Sequence, residues 1–141
     1  MKSKTEAQLK KKLWPLVSAY IRKRDRGVCM ACGALAEGGA YHAGHLVPRP
    51  LCGPVLYFHP LNLWGSCYRC NIHLGGNGAL LAHRLSKKYH FNFVGYFEEL
   101  RRKTKNVQWD KKKLQALIDS FENEDYAVAF YRIMGLKNPL T

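Results

Sequence analysis

Two Cys-x-x-Cys pairs, Cys29/Cys32 and Cys67/Cys70, constrain this chain more than any other feature. Each pair is a tight turn that can present both sulfurs on one side, and two such turns close a tetrahedron around zinc. The 34 residues between the pairs exceed the usual ribbon spacing, so a whole functional insert has to lie between them. A dithiol redox pair is the competing reading, but it calls for a βαβ setting that the pattern here lacks. Four sulfur ligands leave no open position, so the expected zinc is structural and not catalytic. Cys52 is left over and reads as a small buried apolar residue or a free thiol.

The chain has 141 residues, enough for one domain with a modest core. With 47 % apolar residues, disorder is not the default. Lys and Arg number 23 against 10 acids, a net charge of +13. So basic a chain attracts polyanions, and nucleic acid is the expected partner. No apolar run approaches the roughly 20 residues that cross a bilayer, and the basic start MKSKTEAQLKKK leads into an amphipathic pattern instead of a signal core. A soluble, intracellular protein with no membrane partner is expected.

Residues 5–26 carry apolar positions at helical spacing, Leu9, Leu13, Leu16, Val17, Tyr20 and Ile21. Pro15 sits badly in a helix interior, so residues 1–12 read as a loose basic leader and the firm helix starts near Trp14 or Pro15. A strand is expected over 40–47. Pro48, Pro50 and Pro54 forbid a regular ladder beyond it, so 48–61 reads as a loop with a short apolar piece at 55–58. Helices are expected over 78–90 and 93–103. Asp110 is a fair N-cap for another helix to about Glu122, followed by one from about Glu124 to Met134 that Gly135 stops. The fold class is α+β, with a zinc-braced core over 13–103 and a helical extension over 104–141.

Cleaving a phosphodiester calls for a base to activate water, charge stabilisation, and help for the departing oxygen. A neutral imidazole suits the first role. A hard divalent cation such as Mg2+ or Mn2+ suits the others, and it prefers oxygen ligands. His42, His45, His59 and His73 cluster in the stretch between residues 40 and 77, with Asn62, Asn71 and Asn77. Asn71 follows the last cysteine directly, so a zinc knuckle would hold its amide oxygen rigidly. His73 reads as a ligand of metal or phosphate, or as packing on the knuckle. His59 reads as a surface or packing residue. Asn77 is either a third oxygen ligand or a helix N-cap.

The order His45, Asn62, Asn71 resembles the His-Asn-Asn form of the HNH endonuclease motif. More narrowly, KLWPLVSAYIRKRD, CMACG, AGHLVPR, CYRCNIHLGGN and FVGYFEELRRK are similar to the phage NinG (Rap) recombination endonucleases, over roughly residues 12–103. The resemblance implies a ββα-metal (HNH) core and a phage protein in the host cytoplasm. It makes His45 the general base, Asn71 a ligand of the catalytic Mg2+ or Mn2+, and Asn62 the brace of the hairpin. Many HNH enzymes carry an acidic or imidazole ligand just before the base, where this chain has Gly44. His42, two residues earlier and on the same strand face, is the candidate replacement.

Arg49, Arg69 and Arg84 flank the expected site, and Arg69 is favoured by position as the clamp on the scissile phosphate. The runs at 10–12, 22–26 and 101–113, including Arg101, Arg102, Lys103 and Lys105, would contact backbone phosphates. Trp14, Trp64 and Trp109 read as core. The function expected is a metal-dependent endonuclease acting on branched or recombining DNA such as Holliday junctions and D-loops. A homodimer would suit symmetric cutting. The rivals are a non-catalytic zinc module that binds nucleic acid, and an HNH nicking enzyme of ordinary duplex DNA.

Overall fold

The computed structural model describes residues 3–141, and it is mostly helical with one small sheet. Helix α1 runs unbroken over Glu6–Asp25. Its start is set by a capping box: the Thr5 hydroxyl accepts from Gln8 N at 3.1 Å, and the Gln8 side chain accepts from Thr5 N at 2.9 Å. The described part of the basic leader (residues 1–2 lie outside) is therefore not loose, since residues 6–12 belong to α1. Pro15 is tolerated because it lies on the exposed side with Lys11, whose carbonyl loses its intrahelical partner where water can replace it. Leu9, Leu13, Val17 and Ile21 form the buried stripe.

Strand β1 (Tyr41–His45) pairs antiparallel with β2 (Leu63–Cys67), with Tyr41 opposite Cys67 and His45 opposite Leu63. The connection is not the expected loop. Arg49–Tyr57 forms helix α2, two helical pieces meeting at Gly53, whose φ of 71° and ψ of 177° break the path. The prolines start helix here instead of preventing it. Pro50 sits in the first turn, and Pro54 opens the second piece, where a missing N–H costs nothing. Val55 and Leu56 turn inward and are buried.

After β2, a π-type turn over Arg69–His73 leads into α3 (Gly78–Tyr89), α4 (Phe93–Lys103), α5 (Lys111–Ser120) and α6 (Tyr126–Met134). Asp110 caps α5 by accepting from Lys113 N at 2.7 Å, as its position predicts. Helix α5 packs on α1 and on α6, and α6 reaches the end of α2. Trp109 Nε1 donates to Pro54 O at 2.7 Å, Tyr126 Oη to Phe58 O at 2.6 Å, and Tyr20 Oη to Asp125 Oδ1 at 3.0 Å. The inward faces of the C-terminal helices are thus used within the chain.

The end of α1 is riveted to the hairpin. Arg24 grips Asp25 through two nitrogens and donates to Pro60 O and Leu63 O, each at 2.7 Å, while its guanidinium lies over Trp64. Asp25 Oδ2 accepts from Gly65 N at 2.6 Å in the middle of β2. Arg24 therefore belongs to the frame and not to a DNA-contacting run.

Candidate functional site

The two Cys-x-x-Cys turns meet beside the hairpin. Cys29 N donates to Ala34 O and Gly33 N to Cys29 O, which closes the first turn, and Met30 N donates to Gly65 O, which pins it to β2. The second turn continues from the end of β2. The four Sγ atoms lie within 4.8 Å of one another, and all five cysteines are free thiols. Sulfurs around a tetrahedral zinc, at about 2.3 Å each, stand about 3.8 Å apart; Cys32 Sγ and Cys67 Sγ are 3.8 Å apart. Burial opposes ionisation of Cys29, yet neighbouring backbone groups at Cys32, Cys67 and Ala31 bring it down to about 6, while burial pushes Cys70 up to about 12. The donor set fits a structural zinc, and among the described residues no other group of three or more His, Cys, Asp or Glu is so gathered.

Asn77 does not cap α3 through its side chain. It sits at the N-cap position without a side-chain cap, and its Nδ2 points to Cys70 Sγ at 3.5 Å. It supports a sulfur, which is the outer-shell role that steadies a metal ligand. Arg84 lies over the first knuckle, with Nη2 only 2.8 Å from where a Gly33 Cβ would stand, and so is not at the expected phosphate site.

The knuckle delivers Asn71 to the hairpin. Strand alternation puts His42 and Gly44 on one face of β1 and Tyr41, Ala43 and His45 on the other. Asn71 Nδ2 donates to His42 Nδ1 at 2.9 Å, and His42 Nε2 donates to Gly39 O at 2.9 Å. Both nitrogens of His42 are engaged, so it offers no lone pair to a cation and instead fixes which way the Asn71 amide turns. Asn71 Oδ1 then lies 2.9 Å from where a Cβ on Gly44 would be. The expected ligand position before His45 is glycine because the amide oxygen fills that space.

His45 lies on the opposite face, its ring stacked on Trp14 with centroids 5.4 Å apart and planes 11° from parallel. Its Nε2 donates to Tyr57 O at 2.9 Å, and Nδ1 has no hydrogen-bond partner among the described residues. The carbonyl therefore selects the tautomer with a bare Nδ1. Burial, opposed by the Tyr57 carbonyl and helped by the Arg49 charge, lowers the ring's pKa to about 4, so it is neutral at physiological pH.

Asn62 is fully buried. Its Oδ1 accepts from Val47 N at 2.7 Å, and its Nδ2 donates to Val47 O at 3.2 Å and Leu56 O at 3.0 Å. It ties the chain just past β1 to α2, one residue before the carbonyl that holds His45. Asn62 is a brace, acting on His45 through the backbone.

His45 and Asn71 both line a cavity of about 380 Å³ at the end of β1, with Arg49 and the Gly75–Gly76 turn in its wall, while the His45 ring itself packs on Trp14 and Tyr57. A second cavity of about 340 Å³ shares Asn71 and Arg49 and adds His42, Trp14, Ser18 and Arg22. Arg49, not Arg69, is thus the guanidinium at this place, and Arg69 is exposed outside both cavities. His73 is also outside them, exposed and edge-on to Tyr68. His59 is buried in the core among Tyr96, Phe97, Phe130 and Tyr131. Sequence reasoning missed Trp14, Ser18 and Arg22 as cavity residues. Their i, i+4, i+8 spacing on one helix face was the available signal.

A family model described as the bacteriophage lambda NinG protein matches residues 1–128. The chain belongs to the NinG family. No curated protein and no solved structure matches it. The family match extends beyond the quoted motifs through α5 and reaches only the start of α6. No helix of the described residues is long and apolar enough to cross a membrane.

Proposed function

We propose that this NinG-family chain is a metal-dependent endonuclease of the HNH type that hydrolyses phosphodiester bonds in branched DNA. The observation that supports the reading is one cavity whose lining includes His45, Asn71 and Arg49, with the His45 imidazole held neutral and its Nδ1 without a partner among the described residues. In this reading β1, β2 and α3 are the ββα core, and the sulfur-bound zinc holds the hairpin and Asn71 together.

His45 Nδ1 takes a proton from the attacking water as its oxygen bonds to phosphorus and the bond to O3′ breaks; O3′ takes a proton from solvent, leaving a 5′-phosphate and a 3′-hydroxyl. Tyr57 O steadies the imidazolium that forms, through Nε2–H. Arg49 offsets phosphate charge in the strained intermediate geometry. One amide oxygen with no carboxylate in the cavity wall is too sparse a set to hold bare Mg2+, but it fits a cation that arrives sharing the DNA's phosphate oxygens and keeping its own waters. Such a cation, Mg2+ or Mn2+, would supply charge stabilisation for the leaving oxygen.

The DNA would follow the net charge of +13. Arg101, Arg102 and Lys105 line a third cavity on the other side of the Gly53–Pro54 break from Arg49. Arg101 pairs with Glu98 and Lys103 with Glu99, whereas Arg102 and Lys105 have no acidic partner among the described residues. The chain would act in the cytoplasm of an infected host, as a monomer or a dimer. A second reading, a zinc-containing nucleic-acid-binding protein without catalysis, is favoured by the lack of a carboxylate at the cavity. Zinc-loaded protein incubated with a four-way junction and with linear duplex, with Mg2+ or Mn2+ supplied or withheld, separates the two. Metal-dependent cutting of the junction supports the nuclease. Binding with no cutting under any divalent ion supports the rival, and equal cutting of plain duplex supports a nicking enzyme.

A further inference from the structure

The His45–Asn71 cavity does not end at Asn71. The second cavity, of about 340 Å³, shares Ala43, Arg49 and Asn71 with it and continues along α1, where Ser18 and Arg22 stand in the wall. The two form one trough that passes Asn71, with His45 at one end and Arg22 at the other. No acidic residue lines either cavity, and residues 38–97, which supply the hairpin, α2, the second knuckle and α3, contain no Asp or Glu. Glu37 adjoins Gly38 in the chain but is outside the wall. Asp25, the acid nearest Arg22 along the chain, is spent on Arg24 and Gly65 N.

The donors at the α1 end are unspent. Arg22 uses only Nε, on Ser18 O of its own helix at 3.3 Å, so both Nη groups lack a protein partner among the described residues. An arginine that merely solvates a face extends into water, whereas Arg22 is half-buried against the trough. Its neighbours in the basic run go elsewhere: Arg24 is turned into the frame, and Lys23 and Arg26 are exposed outside both cavities. Arg49 lies with its face over Trp14 at 4.9 Å, which occupies the flat side of the guanidinium and leaves its in-plane N–H edges to donate. Arg22 and Arg49 have no carboxylate partner among the described residues. His42 spends both ring nitrogens within the protein and adds no charge. Two guanidiniums with free edges in a walled space without acids make an anion site, and their fork matches the oxygens of a phosphodiester.

We infer that the α1 end of this trough holds a second phosphate of the cut strand, the one next to the scissile phosphate, between Arg22 and Arg49 with the Ser18 hydroxyl as a further donor. The inference rests on the DNA-cleaving reading above and adds to it one contact on the protein, Arg22, and one on the DNA. A strand held at a single phosphate turns about that contact. Held at two, with Arg49 common to both, it runs past Asn71 in a fixed direction, which sets the scissile bond against the amide oxygen and His45. Arg22 is thus a residue that positions the substrate. Phosphate contacts fix register without reading bases, so this one serves equally in an arm of a junction and in plain duplex.

The test removes the charge of one phosphate at a time and crosses that change with a change in the protein. Four-way junctions carry a methylphosphonate at the phosphate on the 5′ or the 3′ side of the mapped cut. Cleavage at limiting DNA is timed for zinc-loaded parent protein and Arg22→Ala, with bound zinc and thermal midpoint recorded for both. Arg22 makes one long bond to its own helix, so Arg22→Ala should match the parent in both records. One of the two methylphosphonates should slow the parent about tenfold, the loss of a charge-assisted contact, and Arg22→Ala should slow cutting of the unmodified junction by about as much. Together they should cost no more than about twofold beyond either alone, because both remove the same contact. Arg22→Lys should recover part of the rate and, with it, the sensitivity to that methylphosphonate. Independent losses that multiply to about a hundredfold overturn the inference. So does a parent protein that is indifferent to both methylphosphonates, a result that needs no variant. A parent that cuts no junction with Mg2+ or Mn2+ overturns the reading beneath, and the inference falls with it.

Discussion

Asn62 and Asn71 look equivalent in the sequence, but the structure gives them opposite duties, and paired substitutions measure the difference. Asn62→Ala removes three hydrogen bonds at once, to Val47 N, Val47 O and Leu56 O, at a position with no exposure. The Leu56 carbonyl keeps Phe58 N and His59 N as donors, so each of the three lost bonds is taken at about 1 kcal/mol. The sum is about 3 kcal/mol, out of a total stability of about 5–15 kcal/mol for such a domain. Asn71→Ala breaks one half-buried bond, to His42, and should cost below about 1 kcal/mol. Urea unfolding at saturating zinc separates them. With an m-value of about 1.5 kcal/mol/M, Asn62→Ala should lower the midpoint by about 2 M and Asn71→Ala by less than about 0.7 M. Thermal midpoints should fall by roughly 10 °C and by less than about 4 °C. Cleavage should show the reverse order below the melting range: Asn71→Ala loses it, and Asn62→Ala keeps a part. Equal destabilisation by the two changes would refute this division of labour.

Cys67→Ser should cut bound zinc, counted by metal analysis on soluble protein, from one equivalent to well below one and unfold the second knuckle, since site formation and folding share their free energy; a native-like, zinc-free variant would contradict this. His59, buried and held neutral with its pKa lowered to about 3 from 6.5, makes stability present above pH 6.5 and lost as pH falls towards 3. Between pH 6.5 and about 5 the loss is about 2 kcal/mol. His45, whose pKa is lowered to about 4, adds a similar loss over the same range, so His59→Phe should roughly halve the slope, and an unchanged slope places the titration elsewhere. DNA affinity should fall steeply from 50 to 200 mM salt, and a shallow dependence would remove the phosphate-tracking role of Arg49, Arg102 and Lys105.

The metal cluster was legible because thiolate chemistry and turn spacing leave few alternatives, and four sulfurs within 4.8 Å are what two paired turns produce. Helices α3 to α6 were legible from periodicity and from Asp110 as a cap. What misled was weighing single residues against local context. Pro15 outweighed the Thr5–Gln8 capping box, although an exposed proline forfeits only a solvated hydrogen bond. Pro48, Pro50 and Pro54 read as breakers, although a glycine at positive φ lets the last of them start a new helical piece. At the site, His45, Asn62 and Asn71 were named from their order alone. The engagement of His42 with Asn71, the choice of Arg49 over Arg69 and the stacking of Trp14 on His45 depend on which face of β1 meets which element, and linear spacing does not carry that. Arg24 is the same lesson in the frame: one residue of a basic run turned inward to two carbonyls and an indole.

The most direct measurement is four-way-junction cleavage by zinc-loaded His45→Ala beside the parent protein, at matched Mg2+ and with DNA binding and bound zinc recorded in the same samples. His45→Ala should hold zinc and junction as the parent does and cut at least a hundredfold more slowly, in line with the roughly 10²–10⁴-fold contribution of a positioned general base. Cutting at the parent's rate, with zinc and junction bound, would mean that the imidazole at residue 45 does not activate the water.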